Sequence, residues 1–316
     1  MVGKVCGTGS YVPKDSYDNH DMAKIVDTSD EWIRERTGII RRHIALKDTT
    51  ASMAVNAAKA ALENGNMDAK ELNMILVATI TPNLLVPSMA CEVQKEIAAV
   101  NAVAFDINAA CCGFVFAYNT AQAYIAAGIC KTVLIIGSEC LSNIVNWEDR
   151  SSCILFGDGA GAVILRAEVG NAFPCIMHSD GMKGDVLRCE SRHQKDWEQK
   201  NTVINMDGKE VFKFAVKKVP EAIQELLEQT QYALEDIEYF ILHQANQRII
   251  ESVAKRMKTD IRKFPMNIYE YGNTSSASIP ILLDGMNRNG KIQKGQKMII
   301  AGFGAGLSWG ASLLEF

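Results

Sequence analysis

The chain has 316 residues, 33 Lys+Arg against 37 Asp+Glu, a formal net charge of -4 and 48% hydrophobic residues. That balance excludes a disordered chain and offers no basic footprint for a nucleic-acid binder, while the length holds about two domains' worth of core. Nine cysteines, an odd number with no CxxC pair, read as reduced thiols of a cytosolic protein rather than as a disulfide framework.

The opening residues lack a basic stretch followed by an apolar one, so no signal peptide is expected, and no apolar run is long enough to span a membrane. In chain order, helical spacing over 50–64 gives way to an apolar run at 72–79, a helix over 88–99, a run at 103–108 and a helix over 114–127. Runs at 132–137 and 160–166 follow, then a helix over 220–229, a run at 239–243, helices over 248–257 and 278–287, and a run at 297–301. The runs are short and apolar nearly throughout, as strands covered on both faces should be. Strand–helix alternation of this kind predicts a layered α/β fold with much parallel sheet.

An internal echo accompanies the alternation. The stretch from Phe156 to Leu165 resembles that from Phe303 to Leu314, and strand 72–79 with helix 88–99 resembles 237–246 with helix 248–257. Two matches in the same order predict a duplicated architecture, with halves 1–166 and 167–316.

Among the chemical motifs, a phosphate loop, a dinucleotide glycine pattern, a G-x-S-x-G elbow and a paired-histidine metal site are all absent from the sequence. What remains is Ala109-Ala110-Cys111-Cys112-Gly113-Phe114, between a strand and a helix. A thiol there meets unsatisfied N–H groups and the positive end of a helix dipole, which favour thiolate. A buried cysteine packing as a small hydrophobe accounts for the same position. His243 ends an apolar strand, where α/β proteins bind ligands, although a satisfied core histidine fits too. Asn273 lies in a Gly/Ser-rich turn opening a helix, where a helix cap is the plain alternative. A cysteine nucleophile with two hydrogen-bond donors could stabilise an enolate, but spacing does not show that the three converge.

At these residues the chain resembles the β-ketoacyl-acyl-carrier-protein synthase III family of the thiolase superfamily, nearly end to end. The likeness takes in Asp30-Glu31-Trp32-Ile33 with Arg36-Thr37-Gly38-Ile39, the AACxGF segment and Asn146-Trp147-Glu148-Asp149-Arg150. It continues through Leu155-Phe156-Gly157-Asp158-Gly159-Ala160-Gly161-Ala162, His243-Gln244-Ala245-Asn246, Gly272-Asn273-Thr274-Ser275 and the stretch 304–310. The resemblance implies a thiolase-like, duplicated, five-layered α/β/α/β/α fold, a homodimer, and no metal or other cofactor. It also implies the condensation that opens type II fatty-acid synthesis, in which a short acyl-CoA and malonyl-acyl-carrier-protein give a 3-oxoacyl carrier protein, CO2 and CoA.

On that pattern Cys111 is the acylated nucleophile, a choice between Cys111 and Cys112 that the residues alone leave open. His243 and Asn273 would stabilise the enolate, and the N–H groups of Cys111 and Ala305 would form the oxyanion hole. For CoA, the resemblance implies Thr28, Trp32, Arg36 and Arg150 around the nucleotide, with Gly208, Phe212, Ala245 and Asn246 along the pantetheine channel. Lys213, Arg248, Lys255 and Arg256 would form a rim for the acidic carrier protein, though solvated helix faces look the same. Three positions depart from the family pattern. Val86 replaces a usual phenylalanine at the acyl pocket, which implies room for a longer or branched primer. Ala305 stands in a run often written as glycines, and Lys209 where asparagine is common. A hydroxymethylglutaryl-CoA-type synthase is disfavoured because residues 79–90 hold no carboxylate. A related acyltransferase of secondary metabolism would use the same three residues, whereas an inactive acyl-binding regulator on this fold would have no need of them.

Overall fold

A computed structural model of the chain describes residues 1–190 and 202–316. One sheet holds strands Val2–Tyr11, Gly159–Glu168, Thr132–Glu139, Met74–Ala78 and Val103–Ile107, side by side in that order. A second holds Cys175–Ser179, Ser308–Glu315, Lys297–Gly304 and Tyr239–Leu242. Leaving out Val103–Ile107, each sheet places its first, last, third and second strands in succession, with two antiparallel pairings followed by a parallel one. The duplication seen faintly in the sequence is thus a duplication of topology. The echo pairs the right strands, since Gly159–Glu168 and Ser308–Glu315 occupy equivalent places.

Alternation along the buried strands creates the layers. Met74 and Leu76 face a cluster shared with the helices Gly113–Ala126 and Ser278–Arg288 and with Ile241, Met298 and Ile300 of the other sheet. Ile75 and Val77 face the opposite way, against the helices Thr50–Asn64 and Met89–Glu96. On the far side of the second sheet, Phe240, Leu242, Ile299 and Ala301 pack on helices Gly208–Glu228 and Gln247–Arg256. The result is α/β/α/β/α. Among the described residues no helix is long and apolar enough to cross a membrane.

Each central helix is entered through a 3₁₀ turn, Ala110–Cys112 before one and Ser275–Ala277 before the other. Both turns begin with a non-glycine residue in the left-handed region, Ala110 at φ 46° and Ser275 at φ 51°. Such a conformation costs about 1–2 kcal/mol and persists where surrounding contacts enforce it. The two turns touch each other between the sheets.

Several elements are not expected from the sequence, the strands Cys175–Ser179 and Ser308–Glu315 among them, and two differences have a clear physical reason. Strand Val2–Tyr11 is not among the predicted runs, because Gly3, Gly7 and Gly9 interrupt its apolar pattern. Helix Thr50–Asn64 lies directly on it, and a Cβ at Gly7 would stand 2.6 Å from the Ala61 carbonyl oxygen. The helix predicted to start at Pro220 begins at Gly208, where the Asp207 carboxylate accepts the Lys209 and Glu210 N–H groups. Pro220 signals a first helical turn by its locked φ, but here it is buried inside the helix.

Candidate active site

A cavity of about 680 Å³ opens where the two 3₁₀ turns meet, and Cys111, His243, Asn273, Ser275, Phe303 and Ala305 line its inner end. The two neighbouring thiols are placed differently. Cys111 faces the cavity, whereas Cys112 is fully buried in the central apolar cluster.

The expected thiolate is not what the surroundings favour at rest. Burial pushes the Cys111 thiol up to about 12; a hydrogen bond with the Ser275 hydroxyl works against this, and the nearby Glu139 charge adds to it. Removal from water therefore outweighs the dipole of helix Gly113–Ala126. Strand Lys297–Gly304 runs against the same turn, so that a Cβ at Gly304 would stand 2.8 Å from the Cys111 nitrogen. That close approach brings Ala305 to the cavity beside the thiol.

His243 follows strand Tyr239–Leu242, and its N–H donates to the Ala301 carbonyl at 2.9 Å. The ring is buried, edge-on to Phe303 at 5.3 Å, and burial pushes its pKa down to about 3, so the imidazole is neutral. Its Nδ1 lies 2.7 Å from Ser278 Oγ, which also accepts the Gln244 N–H at 3.3 Å. Among the described residues the serine's own hydrogen has no other acceptor than Nδ1, so we orient it there. The ring proton then sits on Nε2, making His243 a hydrogen-bond donor.

Asn273 is fixed as firmly. Its N–H donates to the Leu155 carbonyl, its carbonyl accepts the Gly157 N–H, and its Oδ1 accepts the Ser275 N–H at 2.9 Å. What it can offer the cavity is the Nδ2 amino group. The inner cavity thus combines a thiol with two neutral donors, a set suited to a developing enolate or alkoxide.

Towards the mouth, Trp32 and Arg36 of helix Asp30–Thr37 line the cavity with Gly208, Phe212, Ala245 and Asn246. Asn246 caps helix Gln247–Arg256 through the Arg248 N–H and donates from Nδ2 to the Arg36 carbonyl at 3.0 Å. Lys209, Lys213 and Arg248 also line this part, the last with its guanidinium 6.0 Å from the Phe212 ring centre. Two residues expected at the carrier-protein rim, Lys213 and Arg248, therefore border the channel itself. Lys255 and Arg256 lie outside its lining, as do Thr28 and Arg150. Arg150 nonetheless stacks over Trp32 at 5.1 Å and donates to the Asp27 carbonyl. Among the described residues Thr28 Oγ1, which is buried, has no hydrogen-bond partner. Val86 is 83% exposed and does not reach this cavity.

Sequence reasoning missed Ser275, Ser278 and Glu139. The two serines belong to a turn that reads as a helix start. Glu139 lies two residues beyond an apolar run predicted to end at 137, where a carboxylate looks like a surface residue, yet it is wholly buried.

The comparisons with known proteins agree along the chain. Residues 105–181 match the family model described as 3-oxoacyl-[acyl-carrier-protein (ACP)] synthase III, and residues 227–316 match its C-terminal counterpart. The beta-ketoacyl-[acyl-carrier-protein] synthase III of Clostridium botulinum is 48% identical, over 98% of this chain and 97% of that protein. Its counterpart from Clostridium acetobutylicum is 45% identical over 99% and 98%. The crystal structure of 3-oxoacyl-[acyl-carrier-protein] synthase III from Aquifex aeolicus superposes with a TM-score of 0.93 at 43% identity, covering 99% of this chain and all of that one.

Proposed function

Because the chain belongs to the 3-oxoacyl-[acyl-carrier-protein] synthase III family, we propose that it performs the first condensation of fatty-acid synthesis, with Cys111, His243 and Asn273 dividing the work. It is an acyltransferase that joins a short acyl-CoA to malonyl-acyl-carrier-protein, releasing CO2 and CoA. The observation that carries the division of labour is the convergence of one thiol and two neutral donors on one cavity. Transfer proceeds in two halves. Cys111 attacks the acyl-CoA thioester, and the N–H groups of Cys111 and Ala305 receive the oxyanion, a contribution worth about 10²–10³ in rate per donor. The malonyl thioester then enters, and His243 Nε2–H with Asn273 Nδ2–H hold its carbonyl oxygen as CO2 departs. The carbanion attacks the acyl-Cys111 and frees the thiol.

A neutral histidine is the useful form for this task, since it donates without surrendering a proton to the enolate. The outer cavity suits CoA: Trp32 offers a face for the adenine, Arg36 and Arg150 offer charge for phosphate, and Phe212, Ala245 and Asn246 border the pantetheine path. For the carrier protein we assign Lys213 and Arg248 at the channel and Lys255 and Arg256 beyond it. Exposed Leu84, Leu85 and Val86, with Val103 on the uncovered edge strand Val103–Ile107, support a homodimer in which Val86 bounds the acyl pocket of the other copy. We divide the chain functionally into 1–166, bearing the nucleophile, and 167–316, bearing His243 and Asn273, although strand Gly159–Glu168 crosses that boundary. Nine free thiols are in keeping with a cytoplasmic location. The full-length relatives favour fatty-acid synthesis over a specialised acyl transfer.

Acylation with radiolabelled acyl-CoA tests the assignment. Label should disappear in Cys111→Ala and remain in Cys112→Ala, whereas His243→Ala and Asn273→Ala should acylate but release no CO2 from malonyl thioester. Retention of label in Cys111→Ala would overturn the choice of nucleophile, and undiminished CO2 release would overturn the donor roles.

A further inference from the structure

Glu139 ends the central strand Thr132–Glu139 and is completely buried, yet among the described residues no lysine or arginine pairs with it. Four donors and a further hydroxyl surround the carboxylate instead. Its Oε2 accepts from Thr81 Oγ1 at 2.7 Å, the Ile80 N–H at 3.1 Å and Thr79 Oγ1 at 3.3 Å. Its Oε1 accepts from Ser275 Oγ at 3.2 Å, while Ser276 Oγ, 3.1 Å away, has its one hydrogen turned to the Ala78 carbonyl at 2.8 Å. Ser275 in turn lines the cavity with Cys111, from a turn packed on the one that bears the thiol, and it is held there in a left-handed conformation. Its hydroxyl thus lies between the buried carboxylate and the cavity that the thiol faces.

We propose that Ser275 and Glu139 form a proton relay for Cys111: as the thiol attacks, its proton passes to Ser275 Oγ while the Ser275 proton passes to Glu139 Oε1. The inference rests on Cys111 being the acylated thiol. In the balance of the step, the S–H bond breaks and a carboxyl O–H forms, with the serine unchanged. The electron pair left on sulfur makes the bond to the acyl carbon. CoA leaves as a thiolate and takes its proton from solvent. When condensation later expels Cys111 as a thiolate, Glu139 returns its proton by the same path. The site so carries one negative charge, moved between carboxylate and sulfur, rather than two buried like charges at once.

The ionisation of the groups fits this exchange. Burial pushes Glu139 up to about 7, within reach of working pH as a proton acceptor. The titratable groups around it are thiols: Cys111 behind Ser275 and Cys140 beside it on the chain, both held up partly by its charge, with Asp158 also acting on Cys140 and Cys112 responding to Cys111. His243 answers to burial alone.

Glu139 could instead merely tie residues 79–81 to the 275–276 turn, or only raise the thiol by its charge, and the direction of one change separates these roles. The experiment uses the full enzyme and follows both single-turnover acylation by acyl-CoA and alkylation by iodoacetamide from about pH 5.5 to 9. In the wild type the acylation rate should rise with an inflection near 7, as Glu139 becomes able to accept a proton. Glu139→Gln should lose that inflection and acylate about a hundredfold more slowly at neutral pH. Ser275→Ala should do the same, and the double variant should be no worse than either single one, because the two groups act in series. Glu139→Asp should recover part of the rate and an inflection.

Faster alkylation in Glu139→Gln would show a charge that only restrains the thiol, and an unchanged acylation profile would show a structural tie; either overturns the relay. If Glu139→Gln does not fold, Ser275→Ala decides, because it leaves the bonds from Thr81, Ile80 and Thr79 in place. Label found on Cys112 would instead defeat the nucleophile assignment, a failure distinct from that of the relay.

Discussion

Ser278 touches no substrate in the proposed reaction, yet its removal should separate the two halves of catalysis. In Ser278→Ala, His243 Nδ1 loses a partner at 2.7 Å and the Gln244 N–H loses an acceptor at 3.3 Å, both in a buried setting. A hydrogen bond contributes about 1 kcal/mol net and a stranded buried polar group costs about 1–3 kcal/mol, so destabilisation of about 2–3 kcal/mol is expected. Only part of that reaches the chemistry. Without the hydroxyl the neutral ring loses a bias of about 1–1.5 kcal/mol towards the Nε2–H tautomer, which takes the competent fraction from about nine-tenths to about half, so CO2 release should fall about twofold. Acylation should be unchanged, since among the described residues no hydrogen bond joins Ser278 to Cys111. The assay is paired: single-turnover acylation by labelled acyl-CoA, and CO2 release from carboxyl-labelled malonyl thioester. Ser278→Thr, which keeps the hydroxyl, should recover the second rate. Equal losses in both half-reactions, or none in CO2 release, would refute the argument that Ser278 sets the tautomer.

Three more outcomes follow from the same geometry. Gly304→Ala should force the strand away from the Cys111 nitrogen, lowering stability by about 1–3 kcal/mol and acylation by at least about a hundredfold; normal acylation would show that the oxyanion hole lies elsewhere. For pH, Glu139 binds its proton more tightly when folded than unfolded, so its contribution is full below about 4.5 and is lost as pH rises through about 7. His243 is the reverse, its contribution present above about 6.5 and lost as pH falls towards about 3. Between about pH 5 and 6.5 the two offset, each at about 1.4 kcal/mol per pH unit. Denaturant titrations should therefore show Glu139→Gln losing stability more steeply than wild type on acidification, and parallel curves would contradict the Glu139 shift. In the proposed dimer, where Val86 would bound the acyl pocket of the other copy, isobutyryl- and hexanoyl-CoA should prime the reaction at rates comparable with acetyl-CoA, and Val86→Phe should restrict it to acetyl. Strict acetyl preference in the wild type would refute the larger pocket.

What the sequence revealed depended on how locally each feature is encoded. The buried strands were visible because residues such as 74–78 are apolar on both faces, and the helices on either side because their apolar spacing is regular. Strand Val2–Tyr11 was hidden by glycines that exist for a helix packed from elsewhere in the chain. Cys111, His243 and Asn273 stood out through motif resemblance, yet the choice between Cys111 and Cys112 needs the direction each side chain takes from its turn. Ser275, Ser278 and Glu139 carried no local signal, because a hydroxyl near a helix start and a carboxylate past a strand have ordinary explanations. Their roles arise only when strand Thr132–Glu139 and the turn Ser275–Ala277, far apart in sequence, lie together.

The matched entry turns also speak to ancestry. The turn bearing Cys111 and the turn following Asn273 are the same element in two copies, each with a left-handed first residue and each leading into a central helix. A single half would expose one face of its sheet and one side of that helix, surfaces that only a second half can cover. An unfused forerunner would therefore have stood as a symmetric pair, with two identical turns meeting on its axis. After fusion each turn could change alone, and one came to hold Cys111 while its twin came to hold Ser275 and its polar neighbours. The asymmetry of the present site is then a product of divergence at a point where symmetry had first placed two equal loops face to face.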